Sequence, residues 1–497
     1  MKTSTHCMWG YQSQFRSSQE LHATRLFQSL DPRFNPDLFL VGVLEEKCED
    51  RFPRCVEPEN NYWAVAEDFS KVSAIAQRII TGYPENKLIN SLHLAQQRED
   101  NYLYKRSIRD AIKQIVDNHP NKPRNMSYSV SMPAMVDCYW VSVVIGLQEN
   151  VINSHYALLK SELELHEYLR IRIPVSLIDA TMLEFLEYTA TELIKPNPGG
   201  EPGNILKIED MTRAAGDSFI SGIVWRVDQD CFYGICELFR SCNIISSMFY
   251  EKSVGVGNIL LAKKNQKNLY GELKFASPVR LSNYREARKL LQLASTELKL
   301  HSDSEKIYGL TSVSNYNEEN EELFEIVFQG HHYWELSHSG RSLMGVKYGQ
   351  PFLPKQSFDE QKLSDSLARI FNGISNTQIE DIIHLVKQAE QESHGTMLVI
   401  TDDAEQEAQR LKTQCTVLEP CKINPKLLRQ LTPIDGAILL SPDGVCYAIG
   451  VILDGMATKK GDPGRGARYN SAIRYVETSK VPSLAVVISE DGGVDLI

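Results

Sequence analysis

The sequence contains no uninterrupted apolar run of the roughly 18 residues that a membrane-spanning helix requires. Its opening stretch, MKTSTHCMWGYQSQFRSS, lacks the apolar core of a secretion signal, so a cytoplasmic protein with no membrane partner is expected. Its ten cysteines include no CxxC pair and show no regular spacing, which argues against a zinc ribbon or a disulfide framework. Cys231, Cys236 and Cys242 do cluster, but the spacing is wrong for a metal knuckle and the neighbours are apolar. Buried thiols are expected there. A basic excess is also missing: 53 Lys and Arg stand against 64 Asp and Glu, a net charge of −11. That balance argues against a broad nucleic-acid-binding surface. No internal repeat or low-complexity tract stands out.

What is present is the composition of a globular protein, 42% hydrophobic and 24% charged. A chain of 497 residues exceeds one ordinary core, so two to four domains are expected. The clearest linker is KPNPGGEPG, from Lys195 to Gly203. With the polar stretch Gln356–Gln378 it divides the chain into α+β regions at 1–195 and 204–355 and an α/β region at 360–497.

In the first region Leu38–Leu44 reads as a strand, and Trp63–Ile80 and Glu99–Asn118 have helical spacing. Met126–Leu147 reads as two strands around Pro133, followed by helices at Ser154–Arg170 and Leu177–Ile194. In the second, Phe219–Trp225 reads as a strand, Phe232–Phe239 as a strand or helix, and Ile259–Ala262 as a strand. Asn283–Leu300 has an amphipathic helical pattern, and Ile307–Pro354 is β-rich. Gly255-Val256-Gly257 contains G-x-G, but a strand follows where a dinucleotide fingerprint needs a helix. His332 and His338 would stand about 20 Å apart on an extended strand. With His331 they are expected to be structural or surface residues.

The third region carries the chemistry. Its expected elements are helices Gln361–Phe371, Ile379–Glu392 and Asp403–Thr413, the last capped by Asp402 or Asp403, with strand Thr396–Ile400 before it. Apolar runs then flank the turn Ser441-Pro442-Asp443-Gly444. A loop rich in Gly, Lys and Arg follows from Asp454 to Ala467, then a helix from Arg468 and the buried run Leu484–Ser489. A polar, glycine-rich loop between a buried strand and a helix is where an α/β fold presents N–H groups to phosphate.

Three motifs here occur in a meaningful order: Asp435-Gly436-Ala437 opening a strand, Gly466 to Ala472 opening a helix, and Ser489-Glu490 closing a strand. Together they resemble the diadenylate cyclase domain, the catalytic domain of the bacterial DNA integrity scanning protein. That family shows Asp-Gly-Ala, then Gly-Thr-Arg-His-Arg-Ala-Ala, then Ser-Glu. The resemblance covers roughly the last quarter of the chain.

The resemblance implies an enzyme that joins two ATP molecules into cyclic di-AMP with Mg²⁺ or Mn²⁺. Asp435 would be the carboxylate beside the attacking hydroxyl and, with Glu490, a metal ligand. Gly436 and Ala437 would keep the strand end slim. Arg468 and the N–H groups of Gly466 and Ala467 would hold phosphate, and Ser489 and Glu490 would meet the triphosphate. The two family sites face each other across a dimer, so self-association is implied, with the N-terminal regions as a sensor.

The motif departs from the family at Tyr469 and Asn470, which stand where it has His and Arg. Both can still donate a hydrogen bond, but neither is cationic. Lys459, Lys460 and Arg465 in the preceding loop are candidates to supply the missing charge. Failing that, the domain would bind ATP without cyclising it.

Overall fold

The computed structural model describes residues 8–45, 51–59, 61–83, 96–166, 169–200, 207–233, 236–251, 253–295, 297–354, 360–390, 395–455, 466–489 and 493–497. The chain divides into two compact units, Met1–Pro354 and Lys355–Ile497.

The run Leu38–Leu44 has no polar face, which suits a strand covered on both sides. It forms β1 (Asp37–Leu44) in an antiparallel sheet with β2 (Arg54–Glu57), β3 (Met126–Val130), β4 (Ala134–Val136) and β5 (Tyr139–Gln148). The order is β2-β1-β5-β3, with β4 also paired to β5. Alternation along β1 feeds two cores. Leu38 and Leu40 join Phe15 and Phe27 of helix α1 (Gln12–Leu30). Phe39 and Val41 join Val72 of α2 (Val72–Gly82) and Ile108 and Ile112 of α3 (Gln96–Asp117).

Helix α4 (Leu177–Leu193) follows the hairpin of β6 (Glu162–His166) and β7 (Leu169–Arg172). The stretch read as a helix at 154–170 is therefore mostly this hairpin. Helix α5 (Ile208–Val227) contains Phe219–Trp225, so the strand expected there is a helix interior. Phe219, Ile220, Ile223 and Val224 are all buried, and a helix covered on most sides shows an apolar run that mimics a buried strand. The 232–239 stretch leads into helix α6 (Leu238–Ser247).

Eight strands form the second sheet: β8 (Gly257–Leu261), β9 (Leu269–Arg280), β10 (Lys299–Ser302), β11 (Lys306–Val313), β12 (Phe324–Gly330), β13 (Tyr333–His338), β14 (Arg341–Lys347) and β15 (Gln350–Phe352). Their order is β15-β14-β13-β12-β8-β10-β11-β9. Phe239 of α6 packs edge-on against Trp334, 5.7 Å between centroids. The helix expected over 283–300 is only α7 (Tyr284–Leu290) and one further turn before β10 begins. Arg288 of α7 donates to the carbonyls of Met248, Ser253 and Val254, and a Cβ on Gly257 would stand 2.5 Å from the Leu291 carbonyl oxygen, so the G-x-G segment serves close packing against this helical stretch.

His338 is buried, with Nδ1 2.9 Å from the Tyr156 hydroxyl. Among the described residues no three His, Cys, Asp or Glu side chains group as metal ligands. Cys231, Cys236 and Cys242 are free thiols, and burial pushes Cys231 up to about 11. Cys55 is disulfide-bonded, which its spacing did not announce.

The C-terminal unit begins with α8 (Glu360–Ile370) and α9 (Asn376–Glu390). Its described residues form a six-stranded mixed sheet of β16 (Thr396–Thr401), β17 (Thr416–Lys422), β18 (Ala437–Leu440), β19 (Val445–Val451), β20 (Ser483–Ile488) and β21 (Val494–Leu496). The order is β17-β19-β18-β16-β20-β21, and only β16 and β18 run parallel. Leu398 and Ile400 face Leu363, Leu367, Ile382 and Val386 of α8 and α9. Met397 and Val399 face the other layer, which holds Ala408 of α10 (Ala404–Arg410) and, beyond α11 (Pro425–Leu431), Ala472 and Tyr475 of α12 (Ala467–Thr478). Asp403 is the N-cap residue of α10 but makes no side-chain capping bond.

Candidate functional site

Register places the three motifs on one edge of the C-terminal sheet. Ala437 pairs with Met397 in the parallel neighbour and with Val451 in the antiparallel one. Thr396 pairs with Ile488. The starts of β16 and β18 and the ends of β19 and β20 therefore share an edge. Strands lie about 4.8 Å apart, so Ala437 and Ile488, two strands removed, are separated by about 10 Å.

Asp435 lies just before β18, with 97% of its side chain exposed. Its Oδ1 accepts the Gly436 N–H at 3.0 Å and lies 3.6 Å from Arg468 Nη2. Arg468 is two-thirds sheltered, and its Nε is buried without a hydrogen-bond partner. The guanidinium thus lies at the edge within ion-pair distance of Asp435.

Gly436 has φ +105°, and a Cβ there would stand 2.6 Å from the carbonyl carbon of Gly450. The glycine is required by the crossing of β18 and β19, which keeps the backbone beside Asp435 narrow. Ala437 is fully buried in the sheet.

Gly466 is the N-cap of α12 and brings no side-chain oxygen to the first N–H groups of the helix. Those donors point out of the helix start, and the helix dipole favours negative charge there. Asn470 turns back, its Nδ2 donating to the Gly466 carbonyl at 3.3 Å. Tyr469, on the same turn, is partly exposed. Ser489 caps the β20–β21 turn, both its N–H and its hydroxyl donating to the Gly493 carbonyl, at 2.9 and 3.1 Å. Lys459, Lys460, Arg465 and Glu490 lie outside the described residues.

A second polar group escaped the motif reading. Arg410 Nη2 donates to Asp454 Oδ1 at 2.7 Å and to Glu407 Oε1 at 2.6 Å. Hydrogen bonds from Arg410 hold the Glu407 and Asp454 carboxyls below their ordinary range despite partial burial. In sequence, Glu407 and Arg410 show only as an i,i+3 pair on a helix surface, and Asp454 as a loop residue.

Residues 384–497 match the family model described as DisA bacterial checkpoint controller nucleotide-binding, abbreviated DAC. Residues 8–220 match a probable sensor domain, DACNG, and residues 236–340 another, DACNH. Among solved structures, a hypothetical membrane spanning protein from Bacillus cereus is 20% identical over 27% of this chain, with a TM-score of 0.22. The chain spans 66% of that protein, just under two thirds of its length. A double mutant of DacA from Staphylococcus aureus is 19% identical over 28% of this chain and 82% of its own, with a TM-score of 0.19. No curated protein matches. Among the described residues no helix is long and apolar enough to cross a membrane.

Proposed function

We propose that this chain, whose C-terminal residues belong to the diadenylate cyclase domain family, condenses two ATP molecules into cyclic di-AMP and two pyrophosphates. The observation that carries the reading is the pairing of Asp435 with Arg468 at 3.6 Å, on the edge where the start of α12 and Ser489 also lie.

In each of two equivalent steps, the 3′-hydroxyl of one ATP attacks the α-phosphorus of the other. An O–P bond forms, the bond to pyrophosphate breaks, and the proton of the hydroxyl is released to solvent. Asp435 is the exposed carboxylate beside that hydroxyl and orients it for attack. Arg468 and the N–H groups at the start of α12 take the negative charge that develops on phosphate. Ser489 and Glu490 meet the triphosphate from the end of β20.

An exposed carboxylate oxygen suits a hard divalent cation that shares its other positions with substrate phosphates and water. Asp435 and Glu490 would hold Mg²⁺ or Mn²⁺. Held by these residues, such an ion would supply Lewis acidity, favouring deprotonation of the hydroxyl and polarising the α-phosphate.

Each domain holds one ATP, so ring closure needs two sites facing each other across a dimer. The segments matched as probable sensor domains would govern that meeting in a cytoplasmic protein. Purified chain given ATP with Mn²⁺ or Mg²⁺ should yield cyclic di-AMP by mass spectrometry.

One observation favours a second reading. Asn470 stands where the family has a cation, and its amide turns back onto its own helix. A domain short of phosphate-binding charge would bind nucleotide and signal by conformation alone. Stabilisation by a non-hydrolysable ATP analogue without any product from ATP identifies that case.

A further inference from the structure

The N-terminal unit holds a cleft of about 620 Å³, within the range of small-molecule sites. One wall is α5, with Ala214 and Asp217; another is α6, with Phe239 and Ile244. His332 and Tyr348, at the β12–β13 and β14–β15 turns, form the mouth. The α5 wall falls in the first segment matched as a probable sensor domain, and α6 and His332 fall in the second.

The four charged side chains lining the cleft, Asp210, Arg213, Asp217 and Arg240, are unevenly paired. Arg213 is paired with Asp210 at 3.3 Å, and Arg240 with Glu237 at 3.5 Å. Asp217, an exposed residue of the α5 wall, has no cationic partner among the described residues, and desolvation by the neighbouring wall raises its carboxyl above the ordinary range. Glu184 nearby is raised too, by burial first and then by Glu187 and Asp217. Both arginines are thus engaged while a carboxylate stands unpaired.

The mouth is aromatic and held open. The His332 and Tyr348 rings lie 5.3 Å apart, and Tyr348 is 68% exposed. Both residues adopt left-handed backbone, φ +55° and +52°. Their conformations are fixed by Tyr348 N–H on the His332 carbonyl and His332 N–H on the Ser246 carbonyl, each at 2.9 Å. A bulky residue held at positive φ presents its ring at the mouth at a cost in backbone energy.

We propose that the cleft is a sensor site for a small organic cation with an apolar body, an amine or quaternary ammonium. Its charge sits against Asp217, its body lies over Phe239 and Ile244, and the Tyr348 ring covers it through a cation–π contact. An anion finds no unpaired cation in this cleft among the described residues.

Calorimetric titration of the full chain with 2-phenylethylamine, 2-phenylethanol and phenylacetate, without ATP, isolates the charge on one body. The amine should bind at least about tenfold tighter than the alcohol, and phenylacetate weakest. Asp217→Asn should weaken the amine about tenfold and leave the alcohol within about twofold. Tyr348→Asn, which tolerates left-handed backbone, should weaken the amine about threefold and the alcohol by less than about twofold, and serves if the first variant misfolds, equal loss for both probes overturning the cation–π contact. Absence of amine binding, equal affinity for the three probes, or amine affinity unchanged in Asp217→Asn overturns the proposal. Because ATP is absent, this result is independent of the cyclase reading.

Discussion

The Tyr475 hydroxyl donates to Glu407 Oε1 at 2.8 Å, and that carboxylate also receives Arg410, which grips Asp454. One guanidinium between two carboxylates ties α12 to the strand end from which the Gly-, Lys- and Arg-rich loop departs. The Tyr475 ring is buried, so its hydroxyl has no ready substitute partner. Tyr475→Phe should cost the fold about 1–3 kcal/mol, because Glu407 loses a donor in a sheltered place. Urea denaturation read by tryptophan-independent circular dichroism checks this; an unchanged midpoint would show the bond to be incidental.

Asp435→Asn should abolish cyclic dinucleotide formation while leaving solubility and binding of an ATP analogue nearly intact. Its side chain is 97% exposed, and among the described residues it meets only the Gly436 N–H and the Arg468 guanidinium. A variant that precipitates or loses nucleotide binding would make Asp435 a structural residue.

We propose that Lys459, Lys460 and Arg465, from the loop that precedes α12 in sequence, supply the charge missing at Tyr469 and Asn470. Charge-assisted contacts to phosphate contribute about 1.5–3 kcal/mol each. Replacing all three by Gln should lower ATP affinity or turnover at least about tenfold if they touch the triphosphate. Unaltered affinity and turnover in the triple variant would leave Arg468 alone in that role.

Activity per subunit should rise with protein concentration until the dimer saturates. Turnover measured beside analytical ultracentrifugation across that range decides the matter. A flat rate in a sample shown to be monomeric rules out the two-site geometry.

Acid stability offers a check on the N-terminal unit. Burial pushes the Asp31 carboxyl upward, but hydrogen bonds from Arg33 and from His155, at 2.9 Å, bring it down to about 2. A carboxyl lowered on folding stabilises the fold above its ordinary range, and that stability is lost as pH falls from about 4 through 2. Asp31→Asn should therefore cost on the order of 2 kcal/mol at neutral pH and flatten the acid side of the stability curve between pH 4 and 2. Parallel curves for the two proteins over that interval would contradict it.

Most of the C-terminal fold was legible because its signals were local. The runs Thr396–Ile400 and Leu484–Ile488 are buried on both faces, and the turn at Pro442-Asp443-Gly444 separates two strands that do pair. Strand β17 was not read, for a physical reason. It is an exposed edge strand interrupted at Pro420, with a register shift between Val417 and Cys421, so neither burial nor alternation marks it. Helix α11 did carry a signal: Asn424 caps it through the Leu427 N–H, and Pro425 opens its first turn. At the site, the family resemblance singled out Asp435 and Arg468 one by one, whereas the Glu407–Arg410–Asp454–Tyr475 group depends on three segments meeting. No spacing rule reports such a meeting.

The pairing of Thr396 with Ile488 has a kinetic meaning. Beside it, β18 reaches β16 by a parallel crossover, so apart from the local β18–β19 hairpin the edge that carries Asp435 is closed by contacts distant in sequence. Closing long loops loses chain entropy before any contact compensates it, which slows folding. The helices of this unit can collapse early, but Asp435, Arg468 and Ser489 come together only when the central strands zip. Recovery of nucleotide binding during refolding should therefore lag recovery of helical signal, making the ligand itself a reporter of the last step.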